Sequence, residues 1–476
     1  MSGALLVLTL PLLAAVLVYL LRRWPTPSTL LAGVAALTVG VLMWRWPNDD
    51  LVLFLGRVIR PNTPLELLGQ TLVMTPAAQW AIGFIALALA GAYLGAWRVS
   101  PGRSFFPFGL VLLAFFSAVL LLEPVWLQPL LLLGVLCLAV FIIQAGRQGS
   151  TRGALRVLWL PTIAVPLFLV AAWYFQQAAL SPSDPFLMQR AARMTSWGLL
   201  LLLAPWPLHG PAQSLGEEAP PLVGAWLLTV LAVVNITMLQ EFLLSYESLQ
   251  GISLFADFPF LRLAELLVAG GIVLCLWAGV AGALENDLSR LWSYAALFSY
   301  GAILVALGLG AESSWALVWL LMITRTVGLM VSGYGRAVIR QRAGSVTDFD
   351  HVQGHGTRLP WISAAFLLGV LSLAGMPLTA GFASQWALMQ VLGNRDWLQA
   401  VIILAGAVGL VVGVMRTVRV LLGPLTNRLL EREGRVLIFL ALLGVLVVLL
   451  PALRPQVWRP ILSAAVTAFT ATAGGP

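Results

Sequence analysis

Apolar runs of about twenty residues, separated by short polar or basic loops, recur along almost the whole chain. As a helix, a run of that length matches the hydrocarbon thickness of a bilayer. The runs fall at about 3–21, 28–45, 76–97, 104–123, 127–146, 155–176, 194–208, 220–244, 262–284, 290–309, 314–335, 361–392, 398–421 and 435–453. A backbone in hydrocarbon has to satisfy its own hydrogen bonds, so these runs predict helices. The expected fold class is all-α integral membrane, with about 14 transmembrane helices. Composition agrees: 60% of the 476 residues are hydrophobic and 10% are charged. That is too few charges to coat a soluble globule of this size.

All 27 basic residues are arginine. Threading the runs with the N-terminus outside puts Arg22, Arg23, Arg98, Arg103, Arg147, Arg152, Arg336, Arg340 and Arg342 on the inner side. The outer loops receive fewer, and this positive-inside bias predicts an even number of spans with both termini outside. The first run is followed by Arg22 and Arg23 rather than preceded by basic residues, which predicts a first span rather than a cleaved leader. The net charge of +8 thus reads as topology, with lipid rather than nucleic acid as the surrounding partner. Cys137 and Cys275 sit in apolar runs without partners at metal-ligand spacing, and no glycine-rich phosphate loop is present. The residues give no site for a metal, nucleotide, flavin or iron–sulfur cluster in this chain.

Proline and glycine break the apolar pattern twice, at Pro205-Trp206-Pro207-Leu208-His209-Gly210-Pro211 and at Gly375-Met376-Pro377-Leu378-Thr379-Ala380-Gly381. Pro207, Gly210, Gly375, Pro377 and Gly381 are the expected helix-break residues. Each break lies near the end of a five-run block, which predicts two five-helix repeats, each with one interrupted helix. Matching interruptions in two halves are a pattern of transport folds, where freed backbone dipoles face an ion or water. The expected organisation is N-terminal helices and an outer loop at 1–103, repeats at 104–260 and 261–424, and a final helix and tail at 425–476. The tail is weakly amphipathic, suited to lying on the membrane or packing against a neighbour.

Four segments resemble a known family, the antiporter-like membrane subunits of respiratory complex I and the related Mrp-type cation/proton antiporters. They are Pro207-Leu208-His209-Gly210 with Glu217-Glu218; Asn286-Asp287-Leu288-Ser289-Arg290-Leu291; Asp348-Phe349-Asp350 with Gly354 and Arg358-Leu359-Pro360; and Leu373-Ala374-Gly375-Met376-Pro377-Leu378-Thr379-Ala380-Gly381. Their order and spacing hold over about 100–424. The resemblance implies a midplane chain of buried lysines, a glutamate and histidines that passes protons. At those positions this chain has Leu202, Val233, Ser289, Thr324-Arg325, Leu329 and Gln385, and 129–137 contains no acid. Leucine and valine cannot carry a proton, and arginine effectively never releases one.

Several charged or titratable residues remain as candidates. Arg325 falls in mid-run, where charge is expensive. It reads either as a fixed charge that tunes a neighbour or, preferably, as half of a structural ion pair. Glu241 and Glu265 read as proton carriers or, more readily, as groups near run ends that reach the interface or pair with an arginine such as Arg262. His209 has the pKa range for proton exchange, and a structural hydrogen-bonded histidine fits equally. Glu217 and Glu218 are expected in a solvated loop, Asp287 and Arg290 in a local salt bridge, and Arg156 as a topology anchor. His351 and His355 are expected in solvent.

The resemblance therefore implies a non-redox membrane-arm subunit of a complex I-like NADH:quinone oxidoreductase in a bacterial cytoplasmic membrane. Flavin, iron–sulfur clusters and quinone would belong to partner subunits, and other membrane subunits would flank the chain. Its nominal role is proton translocation, and the missing lysines point to a degenerate path. The alternative is a membrane component of an independent cation/proton antiporter or of an ion (inorganic carbon) uptake system.

Overall fold

The computed structural model describes residues 2–46, 52–54, 57–59, 63–67, 69–99, 101–102, 104–144, 152–180, 185–250, 263–310, 314–344, 346–424 and 433–470. α1 (Gly3–Leu20) and α2 (Pro25–Arg45) pack against each other. Two small antiparallel sheets follow. β1 (Val52–Phe54) pairs with β2 (Arg57–Ile59), and β3 (Leu65–Leu67) pairs with β4 (Gln70–Leu72), which also pairs with β5 (Leu122–Glu123). These two- and three-residue strands sit at the helix ends of an otherwise all-helical fold, as expected from the apolar runs.

The first half of the bundle continues with α3 (Pro76–Ala96), α4 (Phe105–Leu121), α5 (Gln128–Gln144) and α6 (Arg152–Leu180). Then come α7 (Pro185–Leu203), α8 (Gly210–Glu218) and α9 (Pro221–Gln250). The second half begins with α10 (Leu263–Leu284), α11 (Leu288–Gly308) and α12 (Ser314–Arg342). The short α13 (Phe349–Val352) and α14 (His355–Arg358) lead to α15 (Pro360–Leu373), α16 (Ala380–Arg395) and α17 (Trp397–Leu421). α18 (Arg435–Leu453) and α19 (Arg459–Thr470) close the described chain.

Among the described residues, eleven helices are long and apolar enough to cross a membrane. The difference from the expected number lies in α4, which has only 17 residues, and in the two interrupted runs. The run expected at 194–208 is really α7, which starts at Pro185, and a break before α8. The run at 361–392 is α15 and α16 with the expected break between them. α11 is wholly buried and α9 nearly so, whereas most residues of α1, α17 and α18 are exposed or half-buried. α19 packs against α3 and α12, where the Phe469 ring lies 4.7 Å from Trp319 and Gln240 donates to the Phe469 carbonyl.

Glycine sets the closest helix contacts. α10 lies against both α11 and α17. A Cβ on Gly279 would collide with the backbone of Gly406, and one on Gly413 with the carbonyl of Gly282. Hydrophobic transfer does not hold helices together inside lipid, so close packing of small residues has to supply the attraction. Gly406→Val is expected to force α10 and α17 apart at a cost of about 1–3 kcal/mol. The check is the thermal unfolding midpoint in lipid nanodiscs, and an unchanged midpoint would contradict this role for the seam.

Candidate functional site

The break after α7 is held by side chains from two other helices. Ala204 adopts a left-handed backbone (φ 44), which ends α7 and frees its last carbonyls. The Leu202 carbonyl accepts from Asn235 Nδ2 at 2.8 Å, and the Leu203 carbonyl accepts from the Tyr300 hydroxyl at 2.8 Å. Asn235 comes from α9 and Tyr300 from α11. Both are buried. Each thus supplies a donor where no water-exposed alternative exists.

The far end of α8 is capped by an arginine. Arg336 is fully buried, with Nη1 donating to the Gly216 carbonyl at 2.8 Å and Nη2 to the Ala219 carbonyl at 3.4 Å. Its guanidinium lies 4.2 Å from the centre of the Trp292 ring. A cation at a helix C-terminus pairs orphan carbonyls and meets the negative end of the helix dipole. This corrects the expectation that Arg336 is a topology arginine.

The second break uses hydroxyls. Gly375 (φ 76) ends α15 and Leu378 (φ 65) turns the chain again. Gly381 lies so close to the Ser372 carbonyl that any side chain there would collide, and its N–H donates to Ser372 Oγ at 3.1 Å. Ser384 and Thr324 share a hydrogen bond of 2.9 Å, and Gln385 is buried against Gly375. Gly375, Pro377 and Gly381 thus occur at the break as expected, as do Pro207 and Gly210 at the first. Leu202, Val233 and Leu329, at positions where the resemblance implies lysines, are all buried.

Arg325 is only 3% exposed. Its Nη1 donates to the Leu228 carbonyl at 3.2 Å, and its guanidinium stands 5.5 Å from the centre of the Tyr300 ring. Among the described residues no carboxylate pairs with it, which corrects the expected structural ion pair. The guanidinium borders a cavity of about 80 Å³ that Asn235, Tyr300, Leu202 and the first turn of α8 also line.

The other candidates are dispersed. Glu241 accepts from Gln128 Nε2 at 2.6 Å, and the two border a separate cavity of about 150 Å³ with Glu123 and Gln240. Its partner among the described residues is therefore an amide. Arg262 lies outside the described residues. Along α9, Glu241 is roughly 20 Å from Leu228, the residue that meets Arg325. Glu265 is exposed in the first turn of α10, where a carboxylate suits the helix dipole. His209 precedes α8 half-buried, and its Nδ1 has no partner.

Glu217 and Glu218 are half-buried in α8, a correction of the solvated loop. Glu217 accepts from Gln213 at 2.9 Å, and Glu218 accepts from the Gly153 N–H at 2.9 Å. Arg156 donates to Ser214 at 3.1 Å and so also ties α6 to α8. His355 is buried, against expectation, while His351 is exposed.

Asp287 and Arg290 do not form the expected salt bridge. Asp287 instead caps α11, accepting from the N–H groups of Ser289 at 2.6 Å and Arg290 at 3.0 Å. Arg290 pairs with Glu285 at 3.8 Å. The backbone of Asp287 bridges that of Asp348, and Thr347 donates to Asp287 Oδ2 at 2.8 Å. Two of the four resemblance segments are thereby joined. A side-chain hydrogen bond with Asp287, reinforced by burial and by the like charge, raises the Asp348 pKa.

The interrupted helices, the buried polar groups that pair their freed backbone and the long apolar spans define a polytopic, antiporter-like membrane subunit. The chain belongs to the NADH:quinone oxidoreductase/Mrp antiporter transmembrane family, whose model matches residues 133–411. It is 28% identical over 255 residues to NADH-quinone oxidoreductase subunit N of Psychrobacter arcticus, an alignment covering 51% of this chain and 49% of that protein. It is also 28% identical over 273 residues to formate hydrogenlyase subunit 3 of Escherichia coli, covering 53% and 42% respectively. The match thus spans about half the length of these relatives. The fold is similar to a chain of an archaeal membrane-bound sulfane sulfur reductase, with a TM-score of 0.79 at 17% identity over 98% of this chain and 97% of the other. A chain of Thermus thermophilus respiratory complex I matches at 0.73, with 17% identity over 98% and 100%.

Sequence reasoning missed Asn235, Tyr300, Gln128 and the capping role of Arg336. Asn235 and Gln128 carry a legible signal, a lone amide in or at an apolar run, which demands a partner in lipid. Tyr300→Phe is expected to leave the Leu203 carbonyl unpaired and cost about 1–3 kcal/mol, read as a lower unfolding midpoint. The raised Asp348 pKa means that the folded chain binds a proton more tightly than the unfolded one. Stability is then fully present below the ordinary carboxylate pKa and falls as pH rises through the raised one. Asp348→Asn should flatten that slope in unfolding midpoints measured across the acidic range; an unaltered slope would exclude Asp348 as its source.

Proposed function

We propose that the chain is a non-redox membrane-arm subunit of a complex I-like NADH:quinone oxidoreductase whose own proton path is degenerate. On this reading it has about 14 spans in a bacterial cytoplasmic membrane, with both termini outside. Two five-helix repeats, at 104–260 and 261–424, each contain one interrupted helix. NADH or another donor is oxidised and quinone reduced in partner subunits, which hold the flavin and iron–sulfur clusters. The family membership and the names of the relatives support the assembly.

One observation carries the degenerate path: the chemistry at the two helix breaks. Asn235, Tyr300 and Arg325 meet the first, and Ser372, Ser384, Thr324 and Gln385 meet the second. Amides and aliphatic hydroxyls do not titrate near neutral pH, and arginine keeps its proton. His209 at the first break has no titratable relay partner among the described contacts, and Glu241 belongs to a different cavity.

A second reading, a component of an independent cation/proton antiporter or ion uptake system, draws on the fold's likeness to a chain of the Mrp complex from Dietzia. That chain matches at a TM-score of 0.73, with 17% identity over 98% of this chain and 52% of the other. Gentle detergent extraction of the tagged chain, with mass spectrometry of what co-purifies, separates the two. Flavin and iron–sulfur subunits in the eluate support the oxidoreductase, while a chain alone or with a single soluble partner supports the transporter. In the reconstituted complex, Glu241→Gln and Glu265→Gln are expected to leave the proton-to-electron ratio unchanged. A lower ratio in either variant, at normal assembly, would mean that a working path remains.

A further inference from the structure

The cavity beside the first break is bordered by a charge that has no counter-charge among the described residues. Arg325 is buried, and it borders the cavity with its Nε unpartnered. One carbonyl and the face of one aromatic ring are its partners in the described structure. A ring face and a carbonyl carry partial charge only, so a full unit of positive charge stays inside the membrane.

The backbone does not neutralise it. Leu201, Leu202 and Leu203 at the end of α7 line the cavity, and so do Pro211 and Ala212 in the first turn of α8. The negative end of one helix dipole and the positive end of another therefore face the same space. Such ends carry about half a charge each, of opposite sign, and largely cancel. Pairing of the Leu202 and Leu203 carbonyls by Asn235 and Tyr300 weakens the negative end further.

The remaining polar atoms specify what can enter. Asn235 Nδ2 is committed to the Leu202 carbonyl, so its Oδ1 is the free atom, buried and without a partner. The Tyr300 hydroxyl donates to Leu203 and keeps lone pairs as acceptors. A bare anion would not satisfy these acceptors, whereas water donates to both them and the anion. At about 80 Å³ the cavity has room for several waters or an ion with water, and is too small for a drug-sized ligand.

We propose that this cavity binds one small monovalent anion of the halide class, hydrated on its Asn235 side and anchored by Arg325. The anion supplies the counter-charge that no carboxylate among the described residues provides. The site is independent of whether the chain pumps protons.

Equilibrium binding of radioactive chloride to the purified full-length chain in nanodiscs tests it, with gluconate holding the ionic strength constant. The wild type is expected to bind about one chloride per chain, displaced by bromide, and its unfolding midpoint to rise by a few degrees as the site saturates. Arg325→Gln is expected to lose both responses. Should that variant fail to fold, Ala232→Leu, which fills the cavity wall and leaves Arg325 in place, is expected to lower chloride affinity at least tenfold. Absence of saturable chloride binding in the wild type overturns the proposal. So does wild-type affinity retained in either variant.

Discussion

A peptide carbonyl in hydrocarbon has no water to turn to, and this architecture is organised around pairing the carbonyls that its helix breaks release. Ending α7 in mid-bundle frees Leu202 and Leu203, which receive Asn235 from α9 and Tyr300 from α11. Ending α8 frees Gly216 and Ala219, which receive Arg336 from α12. Ending α15 brings Gly381 onto Ser372 and fixes α16 through Ser384 against Thr324 of α12. At the end of α7 and the end of α8, each helix that supplies a donor is thereby locked to the one whose backbone it pairs. This explains why α9, α11 and α12 are the buried centre and why the outer helices need only apolar packing.

The two buried arginines of α12 show how position decides the cost of a charge. They are eleven residues apart, close to three helical turns, so they emerge on the same face. Both stand against aromatic rings of α11, Arg325 near Tyr300 and Arg336 over Trp292. Arg336 meets the negative end of α8 and several carbonyls, which reward its charge and its hydrogen-bonding fork together. Arg325 meets a break where opposite dipole ends adjoin, and one carbonyl. The first is a structural clamp, and the second is the less compensated charge.

Apolar run length made most of the helices legible from the residues, because run length is a direct consequence of bilayer thickness. Both breaks were legible for a similar reason: Pro207 and Gly210, and Gly375 and Pro377, interrupt runs that otherwise propagate. Tertiary pairing was not. Asp287 could be read against Arg290 by spacing, but an acid just before a helix competes better for that helix's own N–H groups. Glu217 and Glu218 looked solvated because charge pairs follow a proline-rich stretch, whereas α8 is folded back against α6 and α11. Arg336 fell where the inner arginines were expected, and only the position of α8 shows that it faces inward.

The same geometry bears on what a lysine would do at positions where the resemblance implies one. Leu202 lines the cavity that Arg325 borders. A lysine there would place a second cation beside a guanidinium that has no carboxylate partner among the described residues, in a medium where like charges a few ångströms apart repel strongly. Its amine would respond by losing its proton and would cease to be a carrier near neutral pH. Val233 is fully packed and offers no space for a longer chain without displacing its neighbours. On the degenerate-path reading, a fixed arginine at position 325 and apolar residues at 202 and 233 are mutually consistent. The arginine makes a neighbouring lysine unfavourable, and without that lysine the cavity has no proton carrier for the arginine to tune.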